Sequence, residues 1–177
     1  MYIVLSDLEG VYIPEIWMKI SERTGIDELA LTTRDIPDFH ELMTMRMSIL
    51  KKNNIRIDDI STIVRQIDPY AGASDTVEWI KQRTPFMIIS DTFEEFAMPL
   101  MARFGYPTLI CNSLKIGTGN LVDDYIVRLR GGKGMVAESL KGIGCNIIAF
   151  GDSYNDIPMI KAADFGFLYN PSAQVMN

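Results

Sequence analysis

Three short clusters of acidic and hydroxyl side chains carry the strongest chemical signal in the sequence. They are Asp7-Leu8-Glu9-Gly10, Ser90-Asp91-Thr92 and Gly151-Asp152-Ser153-Tyr154-Asn155-Asp156, and each directly follows a short apolar run. Carboxylates that share one crevice repel each other strongly at a low effective dielectric unless a cation lies between them. We therefore expect a divalent metal at this site. Mg²⁺ bound by one or two carboxylates plus a substrate phosphate is the common arrangement.

A carboxylate beside such a metal can attack a phosphate ester if other groups hold the phosphoryl oxygens. Ser90 supplies a hydroxyl for this task. Lys133 is the preferred cation, because it follows two glycines at the start of a predicted helix, whose N-terminus adds partial positive charge. The pattern predicts phosphoryl transfer with Asp7 as nucleophile. The cations that compete with Lys133 for this role are Arg128, Arg130 and Lys141.

Five apolar runs predict the strands that must position these clusters. Each has four or five residues without polar alternation, which is typical of strands covered on both faces in a parallel sheet. In such a sheet the ligand crevice lies at the carboxyl ends of the strands. The sheet therefore collects the clusters at one edge. The runs are Tyr2–Leu5, Phe86–Ile89, Thr108–Cys111, Asn146–Phe150 and Phe165–Leu168.

Helical patterns separate most of these runs, so the sequence predicts an α/β fold, a Rossmann-like parallel sheet with right-handed crossovers. Residues 117–120 contain two glycines and predict a β-hairpin. Between the first two runs the pattern is helical only, with starts expected at Pro14, at Pro37 and at Asp58 or Asp59. We expect a catalytic core of residues 1–11 and 75–177, and a small all-helical cap of residues 12–74 inserted after strand 1.

The composition limits the kinds of protein to which this chain can belong. The chain has 177 residues, of which 47% are hydrophobic, and this suits one globular domain with an inserted subdomain. A formal net charge of -6 argues against nucleic acid or an anionic membrane as partner. The two cysteines do not make a disulfide framework, and the short apolar N-terminus lacks the basic region of a signal peptide. We expect a cytoplasmic protein; the sequence does not indicate an oligomeric state.

The four motifs together resemble those of the haloacid dehalogenase superfamily. Its motifs comprise an Asp-led first cluster, a Ser-Asp-Thr-like second, a downstream lysine and a Gly-Asp-rich fourth, and they occur here in that order. The usual first motif is Asp-x-Asp, whereas this chain has Glu9 in the second acidic position. Segments such as 14–17 and 32–37 extend the resemblance to the superfamily members that act on phosphoserine. The resemblance covers nearly the whole chain.

The resemblance implies a role for each motif residue. Asp7 would form an aspartyl-phosphate, and Glu9 would protonate the leaving oxygen and then activate the attacking water. Asp7, the main-chain carbonyl of Glu9 and Asp152 would hold Mg²⁺, and Asp156 would support both the metal and Lys133. The residues that would bind the phosphoryl group or line the substrate pocket are Ser90, Lys133, Asp91 and Asn155.

The resemblance also implies the substrate. Enzymes for phosphoserine use an acidic side chain for the ammonium group and an arginine for the carboxylate, and Glu15 and Arg46 occupy matching positions in the predicted cap. An amino acid requires one anion and one bidentate cation to be held at both ends. We therefore expect hydrolysis of phosphoserine, with transfer of the phosphoryl group to homoserine as an associated activity.

Alternative interpretations are open at this stage. Glu15 and Arg46 are also consistent with ordinary charges on helix surfaces. If they are surface charges, the chain is expected to be a phosphatase for another small phosphate monoester. A non-catalytic, receiver-like module would also place acids, a hydroxyl and a lysine around Mg²⁺. The helical insert and Glu9 argue against such a module, because a signalling domain does not need a group that accelerates hydrolysis.

Overall fold

The chain folds into a six-stranded sheet with helices on both faces, and the computed structural model describes residues 1–171 and residue 175. The spatial order is β4-β3-β2-β1-β5-β6, and every neighbouring pair is parallel except β3 with β4. This confirms the predicted parallel core and the strand in each apolar run. The strands are β1 Tyr2–Ser6, β2 Phe86–Phe93, β3 Thr108–Ile116, β4 Val122–Ile126, β5 Asn146–Gly151 and β6 Phe165–Leu168.

Seven α-helices accompany the sheet in the described part of the chain. Residues 94–101 form an α-helix that contains Pro99, and residues 102–104 continue it as a 3₁₀ turn that begins three residues after the proline. The predicted hairpin is confirmed, since β3 and β4 pair antiparallel around residues 117–120. The helices are α1 Ile16–Thr24, α2 Phe39–Lys52, α3 Ile57–Val64, α4 Ala73–Lys81, α5 Glu94–Met101, α6 Gly132–Gly142 and α7 Ile157–Ala162.

Helices α1, α2 and α3 occupy the segment between β1 and α4, where the sequence predicts only helices. The start of α2 follows Pro37, and the Asp38 side chain accepts a hydrogen bond of 2.7 Å from the Glu41 N–H. The expected cap of α3 is different. Asp59 lies inside the first turn and accepts the N–H of Arg56, which is the true N-cap, at 2.9 Å. Because this bond satisfies the N–H of Arg56, the helix begins directly after Arg56 and not after Asp58 or Asp59.

Two apolar clusters pack on the two faces of the sheet. In β1, Val4 contributes to one cluster, and its neighbours Ile3 and Leu5 contribute to the other, as the two-residue period of a strand requires. The cluster around Val4 includes buried residues of α1, α2 and α3, so the helical insert shares the core of the sheet. None of the described helices combines the length and apolarity that crossing a bilayer requires.

Candidate active site

The carboxyl end of β1 forms the centre of the site. Because β1 pairs in parallel with both β2 and β5, Ser6 lies level with Ile88 on one side and with Phe150 on the other. The residues that follow these positions therefore meet at one edge of the sheet. They bring together the predicted residues Asp7, Ser90 and Asp152.

Lys133 is buried between the acidic residues of this edge. Only 1% of its surface is exposed. Its Nζ lies 2.8 Å from Asp7 Oδ1, 2.7 Å from Asp156 Oδ1 and 3.9 Å from Asp91 Oδ2. Burial alone would lower the pKa of the Lys133 ammonium, but the carboxylates of Asp7, Asp156 and Asp91 raise it above its usual value. Its ammonium form is therefore favoured, and among the four candidate cations Lys133 is the one that is buried against these carboxylates.

Asp156 organises the loop after β5. It is fully buried, and its Oδ2 accepts the backbone N–H groups of Asp152 and Ser153 at 3.0 Å, and the Ser153 hydroxyl at the same distance. Its other oxygen binds Lys133. Gly151 makes this close packing feasible, since a Cβ there would lie 2.3 Å from the Asp156 Cβ. Asp156 thus connects the loop that carries Asp152 to the lysine.

Three carboxylates face one another closely enough to share a cation. Asp7, Asp152 and Asp156 each offer an oxygen, and these three oxygens lie within 4.8 Å of one another. The pKa of Asp7 is raised to about 7, chiefly by burial; Lys133 opposes the shift and Asp156 adds to it. Burial also raises the pKa of Asp152 to about 6, with Asp156 and Glu15 as the next causes. The donor set consists of hard oxygens and carries excess negative charge, which fits Mg²⁺.

Glu9 lies beside the cluster without joining it. Its carboxylate accepts the backbone N–H of Ile16, the first residue of α1, at 2.7 Å through Oε2. Burial raises the pKa of Glu9 to about 8, and the nearby charge of Glu15 adds to the shift, while the bond from Ile16 opposes it. The raised pKa favours the protonated form of Glu9 near neutral pH, in which the side chain can donate a proton.

Ser90 and Asp91 lie within β2, which continues beyond the predicted strand end, with an irregular register after Ile89. Ser90 is buried, and its Oγ lies 3.4 Å from the Thr92 N–H. Asp91 is partly exposed and accepts a hydrogen bond from the Asn155 side chain. The structure therefore brings both predicted substrate-binding residues, Asp91 and Asn155, to the rim of the site.

Asn112 is a buried residue of β3 that was not among the predicted site residues. Its Nδ2 donates to the Asp91 carbonyl at 2.9 Å, and its Oδ1 accepts the Arg128 N–H at 3.0 Å. It thus joins the end of β2 to the segment that leads into α6 and Lys133. An asparagine directly after the apolar run Thr108–Cys111 was the available signal, because a buried amide must satisfy its donors and acceptors locally.

Glu15 and Arg46 come from the helical insert and differ in environment. Glu15 is the exposed N-cap residue of α1, close enough to Glu9 and Asp152 to raise their pKa. Arg46, in the middle of α2, is only 7% exposed. The interpretation of Arg46 as a surface charge is therefore wrong, because its side chain is buried and close enough to Glu9 and Glu15 for their charges to act on it. Burial lowers the pKa of Arg46 to about 10, and the charges of Glu9 and Glu15 oppose this.

Comparison with known proteins agrees with this geometry. A family model for haloacid dehalogenase-like hydrolases matches residues 17–164. This chain belongs to that family. It is 41% identical over 176 residues to the phosphoserine phosphatase ThrH of Pseudomonas aeruginosa, covering 99% of this chain and 86% of that protein. It is also 41% identical to a phosphoserine phosphatase of Pseudomonas syringae pv. tomato, covering 98% of this chain and 73% of that one.

A solved structure shares the fold of this haloacid dehalogenase-like hydrolase. It is a phosphoserine phosphatase in apo form, with a TM-score of 0.74 and 25% sequence identity. The match covers 92% of this chain and 82% of the other. Family membership is thus confirmed together with the predicted fold class.

The pH dependence of stability follows from the acidic site of this hydrolase. The pKa values of Asp7, Glu9 and Asp152 are about 7, 8 and 6, all above the ordinary range. Groups that bind protons more tightly in the folded state stabilise it at low pH, and this stabilisation is lost as pH rises through their folded pKa values. We therefore expect the metal-free protein to lose thermal stability between about pH 5 and about pH 8.5.

Thermal melts in chelator across this range are the measurement. Asp152→Asn is the matched variant, because it removes one of the three titrating groups. Its melting temperature should therefore decrease less steeply with pH than that of the wild-type protein. The exposed carboxylates with lowered pKa, such as Glu22, Asp124 and Asp164, titrate below this range. A melting temperature that rises steadily with pH would show that the carboxylates are not crowded.

Gly10 permits the loop after β1 to approach Asp152. Its φ is +78°, and a Cβ there would lie 2.3 Å from Asp152 Oδ2. Gly10→Ala should therefore destabilise the protein by about 1–3 kcal/mol through its left-handed backbone, and displace Asp152 as well. Because small displacements of catalytic groups are costly, activity should fall about 10²-fold.

Gly25→Ala is the control for this substitution. Gly25 has a similar φ of +69°, but nothing lies within 4 Å of its added Cβ. It should show a comparable stability loss in thermal melts and retain turnover. Equal activity losses in the two variants would mean that backbone strain, and not contact with Asp152, limits the reaction.

Proposed function

We propose that this protein is a Mg²⁺-dependent phosphoserine phosphatase that works through an aspartyl-phosphate on Asp7. The observation that carries the proposal is the position of Asp7. This buried carboxylate is held by Lys133 at 2.8 Å and shares a cluster with Asp152 and Asp156. The names of the two Pseudomonas relatives, each 41% identical over nearly the whole chain, support the substrate.

Asp7, Asp152 and the main-chain carbonyl of Glu9 are the proposed ligands of the metal, with Asp156 supporting them from behind. When bound, Mg²⁺ neutralises the crowded carboxylates and the charge on the phosphoryl oxygens. Asp7 then remains ionised and able to attack. The raised pKa of Asp7, about 7 without a metal ion, supports this requirement.

In the proposed first step, an Asp7 carboxylate oxygen attacks phosphorus and the bond from phosphorus to the serine oxygen breaks. Glu9 donates its proton to the departing oxygen, which leaves as the hydroxyl of serine. In the second step, water loses a proton to Glu9 and attacks phosphorus, so the bond to Asp7 breaks and phosphate is released. The pKa of Glu9, about 8, suits a group that both donates and accepts a proton near neutral pH.

Ser90 and Lys133 are the proposed contacts of the phosphoryl oxygens. Both side chains are buried at the edge of the sheet, so their interactions with a phosphoryl group are little screened by water. Lys133 already binds Asp7 Oδ1, which orients the nucleophile, and the Leu8 N–H donates to the same oxygen at 2.7 Å. Pre-organised donors of this kind stabilise the charge that develops in the transition state.

Residues 12–74 are the proposed cap, and they recognise the amino-acid part of the substrate. Arg46 is a buried cation that forms no ion pair with a carboxylate of the described residues. A substrate carboxylate would compensate its charge. Glu15 is exposed at the rim, where it can receive the ammonium group. Asp91 and Asn155 line the same rim, and their mutual hydrogen bond orients them.

Homoserine is the proposed alternative acceptor in the second step. Its hydroxyl would replace water, lose its proton to Glu9 and take the phosphoryl group from Asp7. Homoserine carries the same ammonium and carboxylate as serine, so Glu15 and Arg46 would hold it in the same way.

The deciding experiment measures phosphate release from phosphoserine with Mg²⁺ and with chelator, and then with homoserine added. We expect turnover only with Mg²⁺, and phosphohomoserine at the expense of free phosphate when homoserine is present. Absence of phosphate under all conditions would overturn the enzyme assignment. If Arg46→Ala left phosphoserine turnover unchanged, another small phosphate monoester would be the substrate.

A further inference from the structure

Arg46 is held by neutral groups in place of an ion pair. Its Nη2 donates to the Leu31 carbonyl at 2.7 Å, and its Nη1 lies 3.8 Å from the Met43 sulfur. Its Nε is buried without a hydrogen-bond partner among the described residues. A buried cation with an unused N–H is costly by itself, so something else must hold the guanidinium in place.

The face of Trp17 supplies that support. The Arg46 Cζ lies 4.5 Å from the centroid of the Trp17 ring, which is within the range of a cation–π interaction. Trp17 is only 7% exposed, so the interaction is largely desolvated. A ring against the face of a guanidinium leaves its N–H groups free, because these point outward in the guanidinium plane.

Trp17 is in turn fixed by a series of aromatic contacts that reaches the phosphoryl site. It packs edge-on against Phe96, with ring centroids 5.3 Å apart and planes at 72°. Phe96 packs against Phe93 at 5.6 Å and 82°. Phe93 is the last residue of β2, three positions after Ser90. The position of Arg46 is therefore set relative to the strand that carries Ser90.

We propose that Trp17 is a positioning residue that orients the Arg46 guanidinium toward the substrate carboxylate. The inference rests on the proposed function, because it concerns how the carboxylate of phosphoserine is recognised. Trp17 would act on selectivity, since it contacts the cation that distinguishes a phosphorylated amino acid from a phosphorylated amine. Its neighbour Glu15, two positions earlier in the chain, would hold the ammonium group that both substrates share.

The test compares phosphoserine with phosphoethanolamine, which has the phosphate and the amine but no carboxylate. The measured quantity is the ratio of kcat/KM for the two substrates. We expect Trp17→Leu to lower this ratio about tenfold, in line with the strength of a buried cation–π contact, mainly through KM for phosphoserine. Trp17→Phe, which keeps an aromatic face, should restore part of the ratio.

Two further variants separate positioning from general packing. Ile80→Ala truncates a buried residue of α4 in the same apolar cluster, and it should lose stability while keeping the ratio. In an Arg46→Ala background, Trp17→Leu should lower the ratio no further. Independent, additive effects of the two substitutions, or an unchanged ratio in Trp17→Leu, would overturn the proposal.

A binding measurement distinguishes failure of this inference from failure of the proposed function. Wild-type protein that does not hydrolyse phosphoserine contradicts the function directly. Calorimetric titration of phosphoserine into Asp7→Asn, with and without Trp17→Leu, then decides the role of Trp17 without turnover. A dissociation constant about tenfold weaker with Trp17→Leu supports positioning, and equal dissociation constants reject it.

Discussion

Asp7→Asn should reduce phosphate release from phosphoserine by about four orders of magnitude or more, as expected when a nucleophile is removed. An asparagine amide is a poor nucleophile and cannot form the acyl phosphate. The side chain has nearly the same size and can still accept the Leu8 N–H, which binds Asp7 Oδ1 at 2.7 Å. Steady-state phosphate release at saturating Mg²⁺ is the measurement.

Asp75→Asn is the matched control for that prediction. Asp75 is an exposed carboxylate on α4, outside the site, and its replacement should leave turnover within the error of the assay. Thermal melts confirm that both variants are folded. Residual activity in Asp7→Asn above a tenth of wild type would assign the nucleophile to another group.

Lys133→Ala should destabilise the protein strongly. The change leaves Asp7 and Asp156 buried without the cation that lies 2.8 and 2.7 Å from them. Breaking a buried ion pair by removing one partner costs about 3–5 kcal/mol. Activity should also be lost, because Lys133 lowers the pKa of Asp7 and its removal leaves the nucleophile protonated at neutral pH.

Lys141→Ala on the same helix provides the comparison. Lys141 pairs with Asp164 at 3.1 Å, but its side chain is 39% exposed. Exposed pairs contribute less than about 1 kcal/mol, so its free energy of unfolding should change little. Chemical denaturation of both variants at pH 7 measures the difference. Similar losses in the two variants would mean that solvent reaches Lys133 and screens its charges.

These predictions share one physical origin, which is the exclusion of water from a charged site. Burial raises the pKa of Asp7 and Asp152, and it also makes the ion pairs of Lys133 strong. The helical insert contributes to this exclusion, because residues of α1, α2 and α3 share the apolar cluster on one face of the sheet. The same insert supplies Arg46 and Trp17. The proposed recognition of the substrate and the exclusion of water from the charged site therefore both depend on the helical insert.

Much of the fold could be predicted from local patterns. Each short apolar run is a strand, because both faces of a parallel sheet are covered and polar alternation is absent. Helix ends were less predictable, as α3 shows, since its cap depends on a side chain one turn into the helix. The extension of β2 through Ser90 and Asp91 also escaped prediction, because polar residues in a strand look like a strand end.

By itself, the sequence determined which acids meet. Asp7 and Asp152 follow strands whose apolar character requires a buried parallel sheet, and the carboxyl ends of neighbouring parallel strands must coincide. Only the tertiary structure decided which cation joins them. Arg128 pairs with half-buried Glu94, and Lys141 pairs with Asp164, whereas Lys133 alone of these candidates is buried against Asp7.

The environment of Arg46 was likewise decided by tertiary structure. Its burial on Trp17 and its bond to the Leu31 carbonyl join three separate segments of the helical insert. The contacts of Asn112 and the approach of Gly10 to Asp152 have the same character. Local sequence patterns report which face of an element is apolar. Distances between side chains from distant segments depend on how those elements pack, and that information appears only in the folded chain.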